Sequence, residues 1–479
     1  DAWIFAEKEC FIIECKNKIW FVPFREKWFK ERQKKDLLKT TKAILDKGFA
    51  FKKGERLSVG FELVPAKKDL ELPLDDYLDN FSIAKAMALT AGKIGTSGMG
   101  AGTARKSKTD PMNRIAELKT IISGCEHDKK VKEPVFQKYA ALSPKIGAGK
   151  WENADAVFAI AGKGYGGKHL FGTTIGYPSP NKKTRWPSPG LMFLKPWWNM
   201  QSAIDKRQPK MRYGLTETLP IENFIRTCNV DYPEMRARNA AIQKAVAKSD
   251  RLIVKGIKVK GGQTKLEVQI KGKKVRRLVL KSDSDARGKL NKTILKEKGI
   301  IAGMFANFPG GEAFLTPESI TGTAVGDVVI NIDRSHLLKA DNPLVVEFKK
   351  GTWKIKSAPA LIKKRMEKEL KDGKKLIAEY EKKNALPKAV TKMYRDNFRN
   401  TGEFAVNTNP KAKLGNYLIE NEKIARMIHI ALGSGFEPDR QTVYHWDFVI
   451  NAPRQKLDIY GIDSKGKEHW VLKKGKFAL

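Results

Sequence analysis

Four apolar runs in the last third of the chain carry ionisable side chains, and they constrain the fold more than any other feature. They are Gly311-Glu312-Ala313-Phe314, Gly402-Glu403-Phe404-Ala405-Val406, Ile428-His429-Ile430-Ala431-Leu432 and Tyr444-His445-Trp446-Asp447-Phe448. Runs this apolar belong in a core, where a charge needs a partner. Pro309-Gly310-Gly311 reads as a turn that delivers Glu312 at the head of a strand, and Glu403 also follows a glycine. Alternate side chains of a strand share a face, so His445 and Asp447 point one way and Trp446 the other. Two glutamates, two histidines and an aspartate form a mixed nitrogen–oxygen set suited to Zn²⁺, Mn²⁺ or Co²⁺. Each residue alone has a plainer reading, as a hydrogen-bonded core histidine or a turn glutamate. The combination is the stronger signal.

The rest of the chain bounds the class. At about 150 residues per domain, 479 residues suggest two to three domains. With 41% hydrophobic residues the chain can build real cores. No run approaches the ~18 apolar residues of a membrane-spanning helix, so no membrane association is expected. The start, Asp1-Ala2-Trp3-Ile4-Phe5, has neither signal-peptide nor transit-peptide character. Cys10, Cys15, Cys125 and Cys228 form no CxxC pair, and four cysteines are no disulfide framework. A reducing compartment follows: the cytoplasm, or an organellar matrix after removal of a targeting segment. The remaining histidines, His127, His169, His336 and His469, read as surface residues.

The 92 Lys+Arg exceed the 53 Asp+Glu by 39. Such a charge speaks of solubility and attraction to anions, not of fold. Residues 253–300 hold 15 Lys+Arg and four acids, yet Val268, Ile270, Val275, Leu278 and Leu280 mark strands. The lysines therefore decorate a folded hairpin. A solvated basic face is the plain reading; the functional one is a polyanion-binding face through Lys271, Lys273, Lys274, Arg276 and Arg277.

Along the chain, strands are expected around Trp3–Ile13 and Lys18–Pro23, and then a basic helical stretch. A helix stopping at Gly48, a turn at Lys53-Gly54 and a strand through Leu57–Phe61 follow. A helix is expected at about 80–93, a strand at Ala156–Ala161 and a helix at about 233–248. Strands at Leu252–Val254 and 265–280 come next. Met366, Leu370 and Ile377 put an apolar stripe on a helix over 362–381. The end reads as strands, with a turn around Asp463–Gly466. Helices alternating with short strands indicate an open α/β layer. The Gly-rich stretch 95–110 lacks a Walker ending and reads as a loop, as does Gly162–Gly167; Gly176–Trp198 reads as an irregular surface segment.

Pro-Gly-Gly-Glu312-Ala-Phe, Gly-Glu403-Phe-Ala, Glu422-Lys423-Ile424 leading to His429-Ile-Ala-Leu-Gly, and His445-Trp-Asp447 resemble a known run of segments. It is that of the thermophilic-type metallo-aminopeptidases, the aminopeptidase T, aminopeptidase S and leucyl-aminopeptidase-like family. Weaker likenesses lie upstream, at Lys53-Gly54-Glu55, Asn153-Ala154-Asp155, Val230-Asp231-Tyr232, Ser249-Asp250 and Gly262-Gln263-Thr264. The resemblance implies an α/β N-terminal domain over 37–225, after a basic extension over 1–36. An α+β C-terminal metal domain with a curved sheet would span 226–479. It also implies a homodimer, a peptide substrate and one or two divalent metal ions (Zn, Co or Mn). Glu312, Glu403, His429, His445 and Asp447 would be the ligands, and one of Glu312 and Glu403 the general base. Two departures stand out. Phe436 occupies the place of the family's ligand tyrosine, seven residues after His429, and Lys265 stands where an aspartate is common. The loop from Phe436 to Tyr444 is also short. A related family, the dihydroxypyridine ring-opening dioxygenases, carries a single iron.

Two functions are therefore expected to compete. One is a metal-dependent aminopeptidase. The other is a catalytically decayed protein of that fold, docking to RNA or a ribonucleoprotein through its basic surface.

Overall fold

A computed structural model describes residues 2–6, 10–15, 18–23, 31–55, 57–61, 72–94, 156–161, 212–273, 275–287, 305–332, 334–382, 384 and 388–479. The chain is mixed α/β. Leu57–Phe61, Ala156–Ala161 and Arg212–Glu217 are the short apolar strands of the α/β layer. With Phe305–Asn307 they make a four-stranded, all-parallel sheet. Parallel strands need crossovers, and the described helices Glu31–Ala43, Leu74–Lys93 and Ile221–Cys228 pack on this sheet. Leu37, Ile83, Met87 and Phe224 from the helices share one core with Leu57, Phe158 and Ile160 from the strands. The fourth strand comes from beyond residue 226, and Phe308, which follows it, stacks on Phe49 at 5.4 Å.

Several local expectations are corrected. The first helix does not stop at Gly48. It widens into a π-type turn over Ile44–Phe49 and ends at Ala50, whose φ of 47° is left-handed and whose N–H closes on Leu45 O. Burial of Phe49 against Phe158 and Phe308 holds that last turn in place. The expected strand at 3–13 is two strands, Ala2–Ala6 and Cys10–Cys15, and Cys10–Cys15 lies between Ala2–Ala6 and Lys18–Pro23 in a small antiparallel sheet. The strand-turn-strand unit expected over 265–280 has its strands at Gly262–Gln269 and Val279–Ser282, with Lys271 bridging to Arg276 between them. Residues 95–110, 162–167, 176–198, Lys274, His127 and His169 lie outside the described residues.

Two antiparallel sheets make up most of the remainder. The eight-stranded sheet holds the basic hairpin Arg251–Val259/Gly262–Gln269, with Lys255, Lys258, Lys260 and Lys265 exposed as expected. The seven-stranded sheet runs Ser335–Leu337, Val329–Asn331, His445–Ile450, Ile428–Gly433, Thr401–Asn407, Glu312–Leu315, Val279–Ser282. One apolar core joins the two, with Leu252, Val254, Leu266 and Ile320 meeting Phe404, Ile430, Trp446 and Phe448. The helix Ala360–Lys382 adds the stripe seen in the sequence, Met366, Leu370 and Ile377, and also Ile362. Helix Tyr232–Lys248 is capped by Asp231, whose side chain accepts from the Glu234 N–H. No described helix is long and apolar enough to cross a membrane.

Candidate metal centre

Four adjacent strands of the seven-stranded sheet carry the five ionisable residues. Directly paired residues in an antiparallel sheet share a face, and so do residues two apart. Glu312 pairs with Asn407, Ala405 with His429, Glu403 with Ala431, Ala431 with Asp447, and Gly433 with His445. All of these therefore lie on one face. The intervening Phe404, Val406, Ile428, Ile430, Leu432, Trp446 and Phe448 lie on the other, in the apolar core. Ala405, Ala431 and Gly433 are the small residues of the polar face and leave room between the longer side chains. At the entry to the first strand, Gly311 has a φ of +135°, and a Cβ there would fall 2.5 Å from Asn409 Cβ. This close turn places Glu312 at the strand head, as the Pro-Gly-Gly pattern suggested.

The five side chains converge as two groups. Glu312, Glu403 and His429 form one, and Glu403, His445 and Asp447 the other. Within each group the candidate ligand atoms lie within 4.8 Å of one another. Glu403 belongs to both: its Oε1 is 3.2 Å from His429 Nε2 and its Oε2 3.7 Å from His445 Nε2. His429 Nε2 is also 3.7 Å from Glu312 Oε2, and His445 Nε2 is 3.2 Å from Asp447 Oδ1.

Both imidazoles are aimed from behind. His429 Nδ1 is 2.8 Å from Asn407 Oδ1, and His445 Nδ1 is 2.7 Å from the Ser434 carbonyl. Those oxygens only accept, so each ring donates through Nδ1 and turns Nε2 toward the carboxylates. This is the support that metal-ligating histidines ordinarily have. The donor chemistry and its outer hydrogen bonds thus fit a divalent ion in either group.

Buried charge is balanced locally. The Lys423 ammonium is buried, 2.7 Å from Glu312 Oε2 and 3.3 Å from Glu422 Oε2. Burial would lower its pKa, but Glu312 and Glu422 hold it above the ordinary lysine range. Burial raises the Glu312 carboxyl, with Lys423 and His429 opposing. Glu422 is pushed well up by burial and then by the Asp447 charge, and its side chain hydrogen-bonds Asp447. Asp447 would also rise on burial; His445 first, then His429, hold it well below the carboxylate range. His445, which burial would lower, is raised to about 9 by Asp447 and Glu403.

The sequence reading gave no role to Asn407 or Ser434, and singled out Glu422 and Lys423 only as part of the resembling segment before His429. Asn407 was findable, because it stands four residues after Glu403 on the same strand face. Lys423 and Glu422 reach the group from the turn after a short helix, Leu418–Asn421, and no local period places them there. Phe436 stands edge-on to Phe314 with ring centroids 5.6 Å apart and gives no oxygen. Tyr444 does not replace the family's tyrosine: it packs on Trp446 and its hydroxyl donates to Phe398 O, on the core side. His336 and His469 are half-buried rather than surface residues, and His469 binds Asp463 at 3.0 Å.

The expected basic face is also revised. Arg277 is buried, and its guanidinium reaches Glu318, Glu437 and Asp439. A residue enclosed by three carboxylates is not available to phosphate. Lys271 and Arg276 remain exposed, though both reach Asp250. Lys273 is exposed.

Fold and site together describe a mixed α/β protein with a carboxylate–histidine group able to hold a metal ion. No family model and no curated protein sequence matches the chain. Among solved structures, wild-type AmpT from Thermus thermophilus superposes with a TM-score of 0.49 at 14% identity. The superposition covers 93% of this chain and 100% of that one.

Proposed function

We propose that this chain is a metal-dependent aminopeptidase, hydrolysing N-terminal residues from peptides. The observation that carries the reading is the pair of carboxylate–histidine groups sharing Glu403 on one sheet face. The motif resemblance in Glu312, Glu403, His429, His445 and Asp447 supports it. These five residues would hold one or two divalent ions, of zinc, cobalt or manganese. Bound there, such ions supply Lewis-acid polarisation of a carbonyl and a water of lowered pKa. The protein's own part is orientation. Asn407 and the Ser434 carbonyl set the two rings, and Lys423 neutralises Glu312. Glu312 or Glu403 would serve as general base. A homodimer remains part of the proposal by resemblance alone. No observation favours the RNA-docking alternative, since Arg277 is enclosed and Lys271 and Arg276 face Asp250.

The test is metal content measured beside hydrolysis of amino-acid anilides. Wild-type protein should hold about one or two ions per chain and lose activity to a chelator. His445→Ala should lose metal and hydrolysis together. Hydrolysis that survives both treatments would reject the reading.

A further inference from the structure

We propose that Arg277 is a positioning residue for the metal-binding group, acting through the loop 434–442 that sets His445; this rests on the donor reading of Glu403, His445 and Asp447. The loop leaves the strand Ile428–Gly433 and returns as Tyr444-His445. Its first residue, Ser434, gives the carbonyl that His445 Nδ1 meets at 2.7 Å. The same carbonyl oxygen fits against Gly402, where a Cβ would stand 2.0 Å from it. Ser434 O thus lies between the residue preceding Glu403 and the ring of His445. Where that carbonyl sits decides how both groups meet.

At the base of the loop, Ser434 N donates to Tyr444 O, which flanks the strand His445–Ile450, and Thr442 N donates to Ser434 Oγ. Anchorage to other elements comes from Phe436 N to Thr316 Oγ1, from Asn397 to the carbonyls of Asp439 and Gln441, from Thr442 Oγ1 to Tyr394 O, and from a charged cluster. Arg277 is the centre of that cluster. Its Nη1 donates to Glu437 Oε2 at 3.1 Å and to Asp439 Oδ1 at 2.9 Å, and its Nε donates to Glu318 Oε2 at 2.8 Å. Glu437 is itself buried, and its other oxygen accepts from Leu278 N at 3.0 Å. Arg440 binds Glu318 from the loop side. Two loop carboxylates are therefore joined through one guanidinium to the segment that enters strand Val279–Ser282. Without Arg277, the buried Glu437 loses its guanidinium partner, and relief comes by moving the loop into water. The Ser434 carbonyl would move with it.

The experiment compares Arg277→Met, Arg277→Lys and Met366→Ala with wild type. Met366 is a core residue of the outer helix Ala360–Lys382 and serves as a control for general destabilisation. Cobalt affinity, the Co²⁺ absorption spectrum and hydrogen exchange at the amides of 435–442 are measured on protein shown to be folded by circular dichroism. Arg277→Met should bind cobalt about 10- to 100-fold more weakly, the range for lost outer support of a metal ligand, with an altered spectrum and faster loop exchange. Arg277→Lys, which keeps the charge, should recover part of the affinity. Met366→Ala should lower the melting temperature while wild-type affinity and spectrum persist. If Arg277→Met fails to fold, Arg277→Lys against wild type carries the comparison, with a smaller loss expected. Unchanged affinity and spectrum in both Arg277 variants, or equal losses in Met366→Ala, would overturn the proposal and leave the metal reading standing. No cobalt bound by wild type would overturn the metal reading itself, and the proposal with it.

Discussion

A single absent methyl group shows how closely the site is packed. Gly402 precedes Glu403, and the space a Cβ would take is occupied by the Ser434 carbonyl. Gly402→Ala must push that carbonyl away or bend the strand beside it. Overpacking of this kind costs about 1–3 kcal/mol. The variant should therefore unfold at lower urea concentration and also bind metal more weakly, since the displaced oxygen is the one that aims His445. A loss of stability with unchanged metal affinity would show that the ring finds its orientation without Ser434. The glycine before Glu403, read from sequence as part of a turn pattern, is thus explained by a contact with a loop about thirty residues away.

At the scale of elements, the seven-stranded sheet separates two chemistries by parity. One face gives bulky apolar side chains to the core, and the other gives carboxylates, imidazoles and the small residues between them, with Phe314 and Val449 at its margins. Ala431 is the test of this division, because it pairs with Glu403 on one side and Asp447 on the other. Ala431→Val adds two methyl groups to the polar face between the donor residues and none to the core. Affinity for zinc or cobalt, measured by competition with a coloured chelator, should fall by at least about tenfold, by analogy with other losses of ligand support. Near-wild-type affinity would mean that the small residues on that face are not there to make room.

For the whole molecule, a ligand that binds only the folded state stabilises it by mass action. Zinc or cobalt at about 100 times its dissociation constant should add about 2.7 kcal/mol and raise the melting temperature. His445→Ala should abolish that shift, which differential scanning calorimetry reads directly. The net charge of +39 makes a separate prediction. If the exposed Lys271, Lys273 and Arg276 meet phosphates, RNA binding should weaken with salt at a log–log slope of about −0.7 per phosphate neutralised. Replacing those three by serine should flatten the slope. Arg277→Ser should instead destabilise the protein, because it removes the guanidinium that faces a buried carboxylate. Equal slopes in parent and triple variant would identify this face as solvated surface.

What the sequence determined by itself was local and periodic. Alternation placed His445 and Asp447 on one face and Trp446 on the other, and the apolar stripe Met366, Leu370, Ile377 marked its helix. The short strands Leu57–Phe61 and Ala156–Ala161 were legible for the same reason: burial of one surface imposes a period on the chain. The need of buried charges for partners also singled out the five residues that the fold brings together. The tertiary structure decided everything that depends on register and charge pairing between distant segments. Strand order made Glu403 the residue common to both groups. A turn beyond any period brought Lys423 to Glu312, and three carboxylates from two segments enclosed Arg277, which composition alone had assigned to a basic surface. Periodicity encodes which face of an element is buried; only the assembled chain fixes which partners a charge meets there.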